Sequence, residues 1–127
     1  MKRSIILILI ILALVISGGF LQSRKIKNIN TNSVKELKSI SLALKEQSYN
    51  EAGEIYQKYK NRWMKNKKNL SLIISHDELD SITRHNSRLG VYLSDRGVLD
   101  AYAEIGELVD IYNELEEKFK LSLRNIL

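Results

Sequence analysis

With 127 residues, of which 20 are Lys or Arg and 15 are Asp or Glu, the chain has room for one small domain and carries a net charge of +5. It has no Cys, which excludes disulfides, thiolate zinc sites and acylation of a lipoprotein cysteine. It also has no Pro and only six Gly, so few breaks are forced, and its Leu, Ile, Lys and Glu favour an all-α fold.

Met1-Lys2-Arg3-Ser4 is a short basic N-terminus. It precedes IILILIILALVISGGFL, the 17 uncharged residues 5–21. As a helix this run covers about 25 Å, slightly less than a hydrocarbon core of about 30 Å, and it can span with Arg24 and Lys25 snorkelling. A cleaved signal peptide is the rival, with Ser17-Gly18-Gly19 as its small-residue site. The anchor is preferred because that site lacks Ala-x-Ala and the apolar run resumes with Phe20-Leu21. The charges on the two sides nearly tie. The basic N-terminus is awkward to translocate, so the expectation is a single-pass cell-membrane protein, N-terminus cytoplasmic and C-terminal domain extracytoplasmic.

Residues 22–32, QSRKIKNINTN, read as a polar juxtamembrane linker, although without Pro or Gly the membrane helix can also run on through them. The helical domain then occupies 33–127. Ser33-x-x-Glu36 has the spacing of a capping box before Val34, Leu37, Ile40 and Leu44, which predicts helix one over 33–47. Helix two, over 50–67, carries Ala52, Ile55, Tyr56, Tyr59 and Trp63 on one stripe, with Lys67-Lys68-Asn69 as the following turn. Helix three, over 70–94, uses Leu72, Leu79, Ile82, Leu89 and Leu93, and Gly97 supplies permissive backbone after it. Helix four, over 98–119, buries Val98, Ala101, Ile105, Leu108, Tyr112, Leu115 and Phe119, with Asp100, Glu104, Glu107, Asp110 and Glu114 outside.

Short turns make neighbouring helices antiparallel, so the expected architecture is a transmembrane helix plus a four-helix bundle of two hairpins. A shift of 49 residues aligns Tyr49, Ala52, Tyr56, Tyr59 and Trp63 with Val98, Ala101, Ile105, Leu108 and Tyr112. This is either a faint duplicated hairpin like those of tetratricopeptide-type repeats or the match any two amphipathic hairpins of similar length produce. Charge divides the halves: residues 22–68 hold twelve Lys/Arg against four acids, and 69–127 hold six against eleven. The basic half is a solvated face, a contact for anionic lipid, or a flank attracted to helix four if helices two and four are neighbours.

His76 and Asp80 in SHDELD (75–80) are one helical turn apart and form a weak metal-ligand pair. His85 lies on the opposite side of the helix, so a third ligand would have to come from elsewhere. A structural His76–Asp80 hydrogen bond beside Trp63 is the preferred reading, and no catalytic residue and no cofactor are assigned. The aromatic residues of helix two share its core stripe while Lys58, Arg62 and Lys65 lie away from it, so nucleic acid is not an expected partner. Asn86 falls within the apolar stripe of helix three. A polar side chain there sets helix register, as buried Asn does in coiled coils, or lines a groove for a partner.

Several of these residues together resemble a family of small bacterial membrane-anchored proteins catalogued as a domain of unknown function. They are Tyr49-Asn50-Glu51-Ala52, Trp63 followed by Lys residues, His76-Asp77-Glu78-Leu79-Asp80, Arg88-Leu89 and the ending Asn125-Ile126-Leu127. Asp77 stands where that family usually has Glu, and Tyr49 where Trp is common. The resemblance implies a membrane-anchored or signal-bearing helical domain with no assigned activity, and it makes Trp63, His76, Asp80 and Asn125 the first positions to inspect. The expected function is a non-enzymatic interaction or scaffold module at the cell envelope, with the bilayer and an unknown protein as partners and Trp63, Asn86 and Asn125 as interaction candidates. The alternatives are a metal-dependent activity centred on His76 and Asp80, or a basic module that binds anionic lipid or nucleic acid.

Overall fold

The computed structural model describes residues 1–126, of which Ile126 is described through its backbone. Among them are four helices and no strand: α1 (Lys2–Lys45), α2 (Tyr49–Leu70), α3 (His76–Ser94) and α4 (Val98–Ile126). The all-α bundle expected from the sequence is therefore present. Leu127, the end of the Asn-Ile-Leu motif, lies outside the described residues.

α1 is 44 residues long, about 66 Å at the helical rise. Its apolar first half packs against almost nothing, and Ile5–Leu12 are each at least half exposed. It is long and apolar enough to cross a membrane. Burial starts at Ile26 and continues through Ile29, Asn30, Ser33, Leu37, Ile40 and Leu44. The stripe therefore begins seven residues before the predicted start of helix one, and residues 22–32 are helix rather than a separate linker. The segment read as a linker because it is polar and Asn-rich, yet one of those residues, Asn30, is a buried stripe position, as is Ser33 just beyond it. Ser33 is in mid-helix and starts nothing, while Glu36 pairs with Arg62 of α2.

α1 lies beside α2 and α4, α3 also lies beside α2 and α4, and α2 and α4 are diagonal. The charged flanks of helices two and four are thus not neighbours. Instead, Arg62–Glu36 ties α2 to α1, and Lys67–Asp80, at 3.4 Å, ties α2 to α3. Across the diagonal the rings of Trp63 and Tyr112 meet edge-on, centroids 6.1 Å apart and planes at 79°. These are equivalent positions under the 49-residue shift. The same shift relates the turns: Glu46, Gln47 and Ser48 N–H donate to Leu42, Leu44 and Ala43, and Asp95, Arg96 and Gly97 to Val91, Leu93 and Tyr92. The left-handed residue in each turn is Gln47 (φ 60°) or Arg96 (φ 56°), and Gly97, expected to fill that role, has no positive φ. Arg96 also sits 5.2 Å above the Tyr49 ring, joining the two turns.

The remaining connection, residues 71–75, falls later than predicted. Leu70 is 2% exposed and extends the stripe of α2 past Lys67-Lys68-Asn69, so α3 starts at His76 rather than near 70. α4 likewise continues beyond the predicted 119 to Ile126. It runs antiparallel to α1. Asn30 lies opposite Tyr112, and a Cβ added at Gly19 would stand 3.2 Å from Leu123 Cδ2. The last turns of α4 are thereby level with the end of the apolar segment.

Candidate functional site

SHDELD is a helix start. Ser75 is the extended N-cap residue (φ −62°, ψ 149°), His76 opens α3, and Asp77 and Glu78 place negative charge in the first turn, where the helix dipole favours it. Ser75-x-x-Glu78 has capping-box spacing, a signal available in the sequence, although Ser75 makes no side-chain cap bond and Glu78 accepts from Lys118 Nζ at 3.0 Å. His76 is exposed, and Asp80 faces Lys67. Among the described residues no hydrogen bond joins His76 to Asp80, and the Trp63 indole N–H donates to Thr83 Oγ1 at 3.2 Å instead.

Trp63 and Asn86 are each 2% exposed, so neither offers a face to a partner, whereas Asn125 is exposed. Asn86 anchors a chain of polar contacts through the bundle: Tyr59 O–H donates to Asn86 Oδ1 at 2.6 Å, and Tyr56 O–H donates to the Asn86 carbonyl at 2.7 Å. The Tyr59 proton being used, Tyr112 O–H donates to Tyr59, 2.7 Å away. The Tyr112 carbonyl in turn accepts from Asn30 Nδ2 at 2.7 Å. All four helices contribute. Burial raises the Tyr56 phenol, pushes Tyr59 well above its usual range and takes Tyr112 to about 12. These phenols stay neutral at physiological pH and link the helices through hydrogen bonds. Asn86 Nδ2 is buried without a partner.

Gly90 explains how Tyr56 reaches this carbonyl. A Cβ at position 90 would stand 2.6 Å from the Tyr56 hydroxyl. Nearer α1, the Glu36 carboxyl pairs with Arg62, yet burial outweighs that cation and raises its pKa from 4.5, and Oε2 has no partner.

Among the described residues, His85, Glu104 and Glu107 come together with donor atoms that all lie within 4.8 Å of one another, a spacing that could hold a metal ion. His85 Nδ1 meets Glu104 Oε1, and Glu107 Oε2 is 3.3 Å away. Glu104, predicted on the outer face of helix four, is buried at 6% exposure because that flank packs on α3. Sequence reasoning missed this cluster because its members belong to different helices. The available sign was Glu104-x-x-Glu107, two acids on one face. An imidazole and two carboxylates can make an ion-pair staple or hold a divalent cation such as zinc.

A surface groove of about 560 Å³ runs between α1 and α4, lined by Val34, Lys38, Leu42, Asn113 and Glu116 among others. Leu42 is 57% exposed at its edge.

A family model described as a domain of unknown function (DUF4363) matches residues 20–126, which takes in the whole bundle. No curated protein and no solved structure matches the chain.

Proposed function

The chain belongs to this family of unknown function, and from that premise we propose that it is a single-pass, membrane-anchored interaction module that holds a protein partner at the cell envelope without catalysing a reaction. The observation that supports this reading is the two-part character of α1. Its first half is apolar and unburied, its second half is a core helix of the bundle, and no break separates them. The anchor is thus part of the folded domain, as suits a protein whose task is to present a surface at a fixed distance from a bilayer. The basic N-terminus is cytoplasmic and the bundle extracytoplasmic, and the α1/α4 groove is the partner surface.

Alkaline carbonate washing of membranes tests the anchor, and reporters fused after Leu127 test the side. Release of the intact chain into the supernatant would end the anchor reading, and an active cytoplasmic reporter would reverse the orientation. A photo-crosslinking residue at Leu42 in intact cells should trap a protein other than a second copy, and recovery of the monomer alone counts against the scaffold role.

The second reading, metal-dependent activity, is favoured by the convergence at His85, Glu104 and Glu107 rather than by His76 and Asp80. Zinc content of the purified chain after dialysis decides it. Stoichiometric metal that disappears in His85→Ala supports the site, and none in either protein removes it.

A further inference from the structure

The anchor reading has a consequence for one end of the bundle. That end consists of residues 22–27 of α1, the α2–α3 connection with its flanks (67–76) and the last turns of α4 (118–126). These segments hold eight Lys/Arg and no Asp/Glu, with Asp77, Glu78, Glu116 and Glu117 immediately behind them, whereas the opposite end, residues 45–51 and 94–100, holds two Lys/Arg and four acids. Lys67, Lys118 and Lys120 are paired with acids that lie behind the end. Arg24, Lys25, Lys27, Lys68 and Arg124 have no ion-pair partner among the described residues.

Apolar side chains stand among these cations. Leu72, in the α2–α3 connection, is 89% exposed, and Leu121 is 56% exposed. The approach of Leu123 to Gly19 puts the end of α4 at the level where α1 becomes apolar. Exposed leucine beside lysine and arginine, with the nearby Glu78 and Glu117 set behind them, is the composition of an interfacial contact at the height where the apolar segment ends. The opposite end also exposes a leucine, Leu99 at 82%, but among acids.

We propose that this end is a docking surface for anionic phospholipid, resting on the anchor reading above. Leu72 and Leu121 enter the apolar edge of the leaflet, and Arg24, Lys25, Lys27, Lys68 and Arg124 bind headgroup phosphates. The bundle then lies against the membrane rather than standing in solvent on a stalk.

The chain has no native Cys, so single-cysteine labels are unique. The full-length chain, reconstituted in phosphatidylcholine vesicles with or without phosphatidylglycerol, is labelled with an environment-sensitive fluorophore at Leu72→Cys, Leu99→Cys or Leu12→Cys. The expected result is an apolar emission at position 72 that requires phosphatidylglycerol, a watery emission at 99 and an apolar emission at 12 in both lipids. Reversing Lys68 and Arg124 to Glu should lower the docked-to-undocked ratio at position 72 by roughly fivefold or more per residue. A watery label at 72 in both lipids, or equal insertion in both, overturns the proposal. A watery label at 12 overturns the anchor reading instead, and the label at 72 then reports docking independently of it.

Discussion

At the scale of single residues, the interior is specified by a few polar side chains whose partners allow little substitution. Gly90 shows this most directly. Alanine is the better helix former by about 1 kcal/mol, yet its methyl would meet the Tyr56 hydroxyl. Gly90→Ala is therefore expected to destabilise the bundle by about 1–3 kcal/mol in urea unfolding. Tyr56→Phe removes the nearest atom, so the cost of Gly90→Ala should shrink in that background, and an unchanged cost would refute the steric account. Glu36 supplies a pH signature. Its carboxyl titrates above 4.5 in the folded protein, so between 4.5 and the raised value the folded state keeps a proton that the unfolded chain has released. Its contribution to stability is full below 4.5 and is lost as pH rises through that window. Unfolding midpoints measured across this range should fall for the wild type relative to Glu36→Gln.

At the scale of elements, the two αα turns repeat one backbone solution with different residues. Each places a side-chain-bearing residue at positive φ, where a Cβ costs about 1–2 kcal/mol. Gln47 is exposed, so Gln47→Gly should leave thermal stability unchanged or raise it by up to about 1 kcal/mol. Arg96→Gly should gain less, because it also removes the guanidinium from the Tyr49 ring. Much of this architecture was legible in the sequence. The stripes of helices two, three and four supplied the core, except for Leu72, which was expected on helix three but falls in the α2–α3 connection and is 89% exposed, and the 49-residue offset foreshadowed the matching turns. The start of helix one was hidden because Asn30 looks like a linker residue and Ser33 like a helix cap, and the carbonyl that pairs with buried Asn30, that of Tyr112, is 82 positions away. The His85 cluster was hidden for the same reason. Periodicity reports which face a residue occupies, and it does not report which residue of another helix will stand opposite.

At the scale of the whole molecule, charge is arranged along the bundle axis rather than simply by halves of the sequence. The basic end coincides with the entry of the apolar segment, and the acidic end lies farthest from it. Because α1 has no break between Leu21 and Ile26, its apolar half and the bundle have a fixed phase about their shared axis. One Ala inserted after Gln22 should leave the melting temperature of the bundle nearly unchanged while turning it by about 100° relative to the apolar half of α1. Under the docking proposed above, labels at position 72 should then leave the lipid interface while those at position 12 stay in the bilayer. An unaltered label at 72 would show that the joint bends. In the anchored state proposed above, an unbroken α1 makes the protein a torsionally stiff lever: a load that twists or tilts the bundle exerts torque on the apolar half of the helix, and a change in bilayer thickness that tilts that half swings the distal acidic end through an arc.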